Sequence, residues 1–402
     1  MKVAIIGGGI SGIITSIGLS ENGHEVHLFE KTSSLGGRIK SKEKQGTIFD
    51  VGFHVLHTGY STVKRWIDTD AISHHKMHPS SILFTPSTQK SKLVGDVFSA
   101  PSTLIGSATS ISPFNALRLL KWRMRNKKSD DVRDKNSRKP IDIGFTEHGF
   151  SESFQKEFLK PLFAGITLSE ERLESIEFAD FIWGVMSKAP IILPKNGMMS
   201  VIKHLEDRME NVAINLDCEI QNISSTEITI HGEKQAFDKV VIATEQNTTS
   251  QILELDLEGE ERTTRTYIYK TKHNPIKKLQ IMLNSEYNSA TSPFVHVHSP
   301  TALSDTDNHL LVATLIGTPS REENWELADK NMSKWFPNEF ADFEQFSSTF
   351  ISHALPNSSI EGSPRIPLEV DGLLIAGDHT NHPSLHGAIL SAEKVIKSIG
   401  GV

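Results

Sequence analysis

Two sets of residues in this 402-residue chain have the types and spacing that chemistry requires. Near the start, Gly7, Gly9 and Gly12 stand as G-x-G-x-x-G, with an acid, Glu30, near the offset of about 20 residues at which a carboxylate meets a ribose. Near the end, His379, His382 and His386 follow Asp378 in AGDHTNHPSLHGAILSAEKV. The glycines suit close approach of the backbone to a pyrophosphate. The histidines suit either metal ligation or one wall of a pocket for something larger.

The surrounding elements decide the first set. Residues 3–6, VAII, are an apolar and mostly β-branched run, the pattern of a strand buried on both faces of a parallel sheet. ISGIITSIGLSENG then has helical periodicity and stops at Asn22-Gly23, and HEVHLFEK is a second strand with Glu30 near its end. In this frame Gly7 permits the tight turn, Gly9 admits the pyrophosphate and Gly12 lets the helix pack on the strand. Ile10 and Ser11 open the helix, whose N–H groups and dipole favour phosphate. Glu30, with Lys31 beside it, is placed to receive the ribose hydroxyls. The chain therefore binds a dinucleotide.

The next segment, KTSSLGGRIKSKEKQGTIFDVGFHVLHTGY, narrows the cofactor. Gly36 and Gly37 let the chain fold over the pyrophosphate, Arg38 can pair with its charge, and Gly52, followed by Phe53 and His54, brings another close backbone approach. A nicotinamide coenzyme leaves at each turnover and does not need such enclosure. A resident flavin does.

At this point the chain resembles the flavin amine oxidase superfamily, with its protoporphyrinogen oxidases, carotenoid desaturases and amine oxidases. Four segments carry the resemblance: GGGISG…FEK, LGGRIKS…FDVGFH, EIQNI…FDKVVIAT and GLLIAGD…SLHGAILSAEKV. It implies an α/β fold, a Rossmann-type, glutathione-reductase-like FAD-binding domain joined to a discontinuous α+β substrate domain. The expected division is 1–58, 191–253 and 361–402 for non-covalent FAD, and 59–190 and 254–360 for substrate. The first insertion is expected to be mostly helical and the second to form an antiparallel sheet. The resemblance further puts Ile220 at the adenine, Ala243 and Thr244 at a strand end near the cofactor, and Gly377 and Asp378 at the ribityl–pyrophosphate region. It sets Leu385, His386 and Ala388 against the pyrimidine edge of the flavin, with His386 either touching the ring or pointing away. The three histidines then belong to a cofactor wall, and no metal is expected. Ser391-Ala392 replaces the family's usual Ser-Gly.

For catalysis the resemblance singles out His54 at the flavin ring, His57 as runner-up, and Lys270, with Lys272 and His273 near it, where amine oxidases place a lysine. A histidine there could orient substrate, move a proton, or simply pack beside the ring. Cys218 reads as a small core residue. The expected reaction is FAD-dependent oxidation, desaturation or dehydrogenation of a small or apolar organic molecule, with oxygen or another acceptor taking the electrons. The alternative is an isomerase or mutase without net redox change, since FHVLHTGYSTVKRWI resembles a UDP-galactopyranose mutase segment.

The bulk properties agree. A single cysteine excludes an intrachain disulfide and suits a reducing compartment, so a cytoplasmic location is expected. A net charge of −7 argues against nucleic acid as a partner. One stretch breaks this acidity: ALRLLKWRMRNKKSDDVRDKNSRKP, residues 116–140, is basic with apolar residues interleaved. It reads either as an interfacial helix docking peripherally on anionic lipid, or as a core-packing helix followed by a solvated loop.

Overall fold

A computed structural model of the chain describes all residues except 97, 104, 105, 108, 109, 134–138, 171–173, 257–261, 303–307, 318, 357–365, 401 and 402. Its centre is a six-stranded sheet in the order Val212–Asn215, Glu25–Phe29, Lys2–Ile6, Lys239–Ile242, Leu373–Ile375, Glu369–Val370. The first five strands are parallel and the edge strand Glu369–Val370 runs antiparallel. Val3, Ala4 and Ile5 are fully enclosed, which is why this strand is apolar without alternation. The helices Ile10–Glu21 and Leu385–Ser398 pack together on this sheet, and Ser11 Oγ donates to Ala388 O at 3.1 Å between them. An antiparallel three-stranded sheet, Ile220–Ile223, Glu227–Ile230 and Glu233–Ala236, adjoins. Its core includes Cys218, Phe29 and Ile228, so the cysteine is a small core residue.

A second sheet of seven strands runs Glu344–Leu355, Arg262–Thr271, His309–Gly317, His296–His298, Ile281–Asn284, Ser80–Thr85, Lys90–Gly95. The last two strands come from the first insertion, which sequence reading took as mostly helical. The hairpin SSILFT/KSKLVG supplies them, with Ser81 opposite Val94 and Leu83 opposite Lys92. It joins the sheet by a parallel pairing of Ser80–Thr85 with Ile281–Asn284, a long-range contact that local pattern does not announce. One face of this sheet carries Tyr267, Leu311, Ala313 and Leu315 and is covered by the helix Trp325–Trp335. The other face carries Thr266, Ile268, Val312 and Thr314, of which Thr314 and Val312 pair in register with His296 and His298.

The rest of the first insertion is helical. Pro113–Asn126, Ile141–Glu147, Lys160–Thr167 and Ile176–Met186 pack around Trp122, Phe145, Phe163 and Phe181. Trp122 stacks on Trp183 at 4.7 Å and 8°, and its Nε1–H donates to Asp180 Oδ1 at 2.5 Å. Among the described residues, no helix is long and apolar enough to cross a membrane.

Candidate active site

The glycine loop is closed by backbone bonds. Gly7 N–H donates to Phe29 O at 2.8 Å with φ at +110°, a conformation that favours glycine. A Cβ on Gly12 would lie 1.9 Å from Gly7 O, so this residue is small because the helix packs on the strand. A Cβ on Gly9 would meet nothing within 4 Å. Gly9 faces open space. Gly36 N–H donates to Gly8 O at 2.8 Å, and a Cβ on Gly37 would stand 3.1 Å from Gly9 Cα, so LGGR folds over the loop. The helix Ile10–Glu21 has no side-chain cap and no acid in its first turn, which leaves its N–H groups to a ligand. Bare backbone, open space and uncapped donors meet at one point, and they fit a pyrophosphate.

Glu30 is buried beside this loop. Its Oε2 accepts from Gly8 N–H at 2.7 Å, and its Oε1 from Thr32 N–H and Oγ1–H at 2.9 and 2.8 Å. A carboxylate has about four acceptor sites, so capacity remains for ribose hydroxyls. Lys31 is exposed. Cys218 N–H donates to Glu30 O at 2.9 Å and brings Ile220, the first residue of the adjoining sheet, to the same side. Ala243 N–H donates to Ile6 O at 2.7 Å, and its carbonyl and Thr244 N flank Gly7.

The C-terminal segment meets the loop from the opposite side. Arg38 Nη2 donates to Asp378 Oδ1 at 2.7 Å and Nη1 to Ala354 O at 3.0 Å. Gly377 N–H donates to Ser391 Oγ at 3.0 Å, and Ser384 caps the last helix by accepting from Gly387 N–H at 3.0 Å. Leu385 opens that helix and Ala388 lies against the first helix. His379, which sequence reading left without a role of its own, is enclosed beside Asp378. Neither ring nitrogen has a hydrogen-bond partner among the described residues, and burial pushes its pKa down to about 4. A buried imidazole in this state calls for a polar neighbour.

His54 is 4% exposed, and its ring stands 5.0 Å from that of His298 at 72°. His298 in turn lies 5.5 Å from His296. His54 Nε2 and His298 Nδ1 have no hydrogen-bond partner among the described residues. Burial lowers the pKa of His54 and, more strongly, of His298, and takes His296 to about 4. Three neutral imidazoles thus join the first cofactor segment to the second sheet. His296 and His298 were missed in the sequence, although PFVHVHS reads as a strand and its i, i+2 spacing puts both on one face. Phe53 is 44% exposed and Gly52 lies near Ile351.

His57 tilts against Tyr60 at 5.5 Å with its pKa lowered to about 4 by burial, and it pairs in the short strand with Ile191. Lys270 sits opposite Leu310 in register, on the same face as Ile268 and Thr266 and one alternation beyond Ile268. Lys272 and His273 lie past the end of that strand.

His386 points away from the glycine loop. Its ring stacks on Tyr60 at 5.3 Å and 7°, and Nδ1 pairs with Thr62 Oγ1 at 2.8 Å. With His382 and Asp131 it forms a group whose ligand-type atoms lie within 4.8 Å of one another. His382 is engaged at both nitrogens, by Asp131 Oδ1 at 3.1 Å and Ser384 Oγ at 2.9 Å. Protein groups therefore engage both nitrogens of His382 and Nδ1 of His386, while His386 Nε2 is buried with no hydrogen-bond partner among the described residues, and His379 stands apart from the pair against Gly377. The three histidines of the C-terminal motif serve two different places.

The profile of flavin-containing amine oxidoreductases matches residues 10–395. The chain belongs to this family. It is an FAD-dependent oxidoreductase. A 4,4'-diapolycopen-4-al dehydrogenase of Metabacillus indicus is 52% identical over 52 residues, 13% of this chain and 11% of that protein. A 4,4'-diapophytoene desaturase of Staphylococcus aureus is 42% identical over 52 residues, 13% of this chain and 10% of that protein. The chain thus spans only about a tenth of the length of these curated relatives. In fold, an oxidoreductase from Methanosarcina mazei superposes with a TM-score of 0.77 at 16% identity, covering 99% of this chain and 100% of the other. A putrescine oxidase variant gives 0.70 at 12% identity over 99% and 98% of the two chains.

Proposed function

We propose that the enzyme oxidises a small or apolar organic molecule seated beside the His54–His298 contact, along the sheet face bearing His296 and His298. The observation that carries this reading is the contact of His54 with His298, where the segment after the glycine loop meets the substrate-side sheet. In this reading the cofactor is held non-covalently by residues 1–58, 191–253 and 361–402, and substrate by 59–190 and 254–360. Gly9 and the start of the first helix receive the pyrophosphate, Glu30 the adenosine ribose, Ile220 and Ala243 the adenine side, and Arg38, Asp378 and His379 the ribityl–pyrophosphate stretch. FAD, when bound, supplies the two-electron acceptor for a hydride at its N5.

The protein's own contribution is orientation and exclusion of water. Neutral His54, His296 and His298 each offer one donor and one acceptor, so they can fix a polar group of the substrate without placing a charge beside it. Thr266 and Thr314 continue this polar strip, while Ile268 and Val312 supply an apolar surface next to it. The names of the curated relatives point to long polyenes, which suits that apolar surface.

The test is anaerobic mixing of the purified holoenzyme with polyene, tetrapyrrole and amine candidates while the visible flavin absorbance is followed. A substrate should bleach the oxidised flavin in stoichiometric amounts, and admission of oxygen or a quinone should then identify the acceptor. Conversion of a substrate with no bleaching, and only after separate reduction of the enzyme, would overturn the reading in favour of isomerisation.

A further inference from the structure

The helix Pro113–Asn126 hides one side and leaves the other bare. Asn115, Trp122 and Asn126 are buried, and Trp122 is pinned by Trp183 and Asp180. On the opposite side Phe114 is 73% exposed, Leu117 65% and Met124 67%. These residues, with Lys121 and Lys128, follow the spacing i, i+3, i+7, i+10, i+14, so they form one stripe along the helix and its continuation. Phe98, 61% exposed, stands on a neighbouring loop with its ring 5.1 Å from the Arg123 guanidinium. Residues 113–128 carry six Lys or Arg and no Asp or Glu, in a chain whose net charge is −7. Isolated exposed apolar residues need no explanation, but three large ones on a single face with lysines between them do.

We propose that this face is a membrane-docking surface for bilayers rich in anionic lipid. Apolar side chains within the stripe suit the acyl boundary. The lysines between them have stems long enough to lie along that boundary while their ammonium groups reach phosphates. A second copy of the chain is a poorer occupant, because two such faces would bring their cations together. The remainder of the molecule is acidic and repelled by the same lipid, so attraction is confined to this side. Two further features make the helix a firm platform. Arg123 is ion-paired to Asp96, and the helix rests on Ile176–Met186, whose Phe181 touches His382 and His386. Of the basic segment read from the sequence, residues 134–138 lie outside the described residues, and the surface does not depend on them.

The experiment is flotation of the flavin-loaded enzyme with vesicles of phosphatidylcholine alone and of phosphatidylcholine with about a third phosphatidylglycerol. The enzyme should rise with the anionic vesicles and detach as salt shortens the Debye length. Lys121→Gln with Lys128→Gln should lower partitioning on the order of 30-fold, at roughly fivefold per charge removed. Phe114→Ser, Leu117→Ser and Met124→Ser together should lower it by more than about tenfold. Flavin absorbance and thermal midpoint should stay at wild-type values in both variants, which separates lost docking from lost fold. The inference fails if the wild type does not float at low salt, if it floats equally on neutral vesicles, or if both variants float like wild type. It also fails if the patch instead holds a dimer that Leu117→Ser dissociates.

Discussion

Gly9 and Gly12 look alike in the sequence but do different work, and substitution should separate them. Valine at Gly9 would place its side chain in open space where the pyrophosphate is expected. Gly9→Val should therefore fold with a near wild-type thermal midpoint yet purify colourless and fail to take up added FAD. Alanine at Gly12 meets a backbone oxygen at 1.9 Å, so Gly12→Ala should lose several kcal/mol and yield little soluble protein. Normal flavin content in Gly9→Val would remove the loop from the cofactor. The packing of Gly12 was legible because it follows from spacing after a strand, and the same spacing is what points to Gly9 for the pyrophosphate. The histidines were less so. His54 was singled out by its place after Gly52, but its partners His296 and His298 lie more than two hundred residues away, and only the fold joins them. If His54 orients substrate, His54→Ala should slow anaerobic flavin reduction by about tenfold or more while flavin content holds. An unchanged reduction rate would leave the residue as scaffold.

At the scale of elements, the parts closest in sequence to the glycine motif were the most readable. The strand Lys2–Ile6, the helix Ile10–Glu21 and the strand Glu25–Phe29 each follow from local pattern and from Asn22-Gly23 as a stop. The seven-stranded sheet was only partly readable, since its hairpin from Ser80 to Gly95 joins through a pairing about two hundred residues distant. The last helix offers a test of how an element serves the site. Ser384 Oγ accepts from Gly387 N–H, and Ser384 backbone O from Ala388 N–H, so the serine holds the helix start next to Asp378 and the first helix. Ser384→Ala should cost about 1 kcal/mol of stability. It should also weaken FAD retention, because it frees His382 Nδ1 and loosens the turn that aims the helix. Titration of the apo variant with FAD, set beside urea unfolding, checks both. Weaker stability with unaltered FAD affinity would confine the cap to a structural role.

Across the whole molecule, the unusual property is a set of uncharged histidines, buried at His54, His298, His379 and His386 and half-buried at His57 and His296. His57, His296 and His379 are held to about 4 and His386 to about 3, each chiefly by burial, and His54 and His298 are lowered by the same cause. Unfolded, each would titrate near 6.5. The unfolded chain therefore binds protons that the folded chain refuses between about 6.5 and 4, and stability must rise with pH across that window. The contribution is complete above about 6.5 and is lost as pH falls towards the folded values. At one unit below 6.5 each such group costs up to about 1.4 kcal/mol, so even a few acting together would shift a thermal midpoint by about 5 °C or more. Thermal unfolding of apo and FAD-loaded enzyme at pH 7.5, 6.5 and 5.5, set by the operator in steps of about one unit around the ordinary histidine value, should show this fall. His296→Gln with His298→Gln should flatten it, because glutamine keeps the polarity without the titration. A midpoint that is level or rising on acidification would mean these imidazoles are open to water, and the dry, neutral strip facing His54 would not exist as described. The same strip, kept neutral, lets the site hold a polar group beside an apolar surface without competing charge, so acid lability and substrate orientation rest on one physical cause.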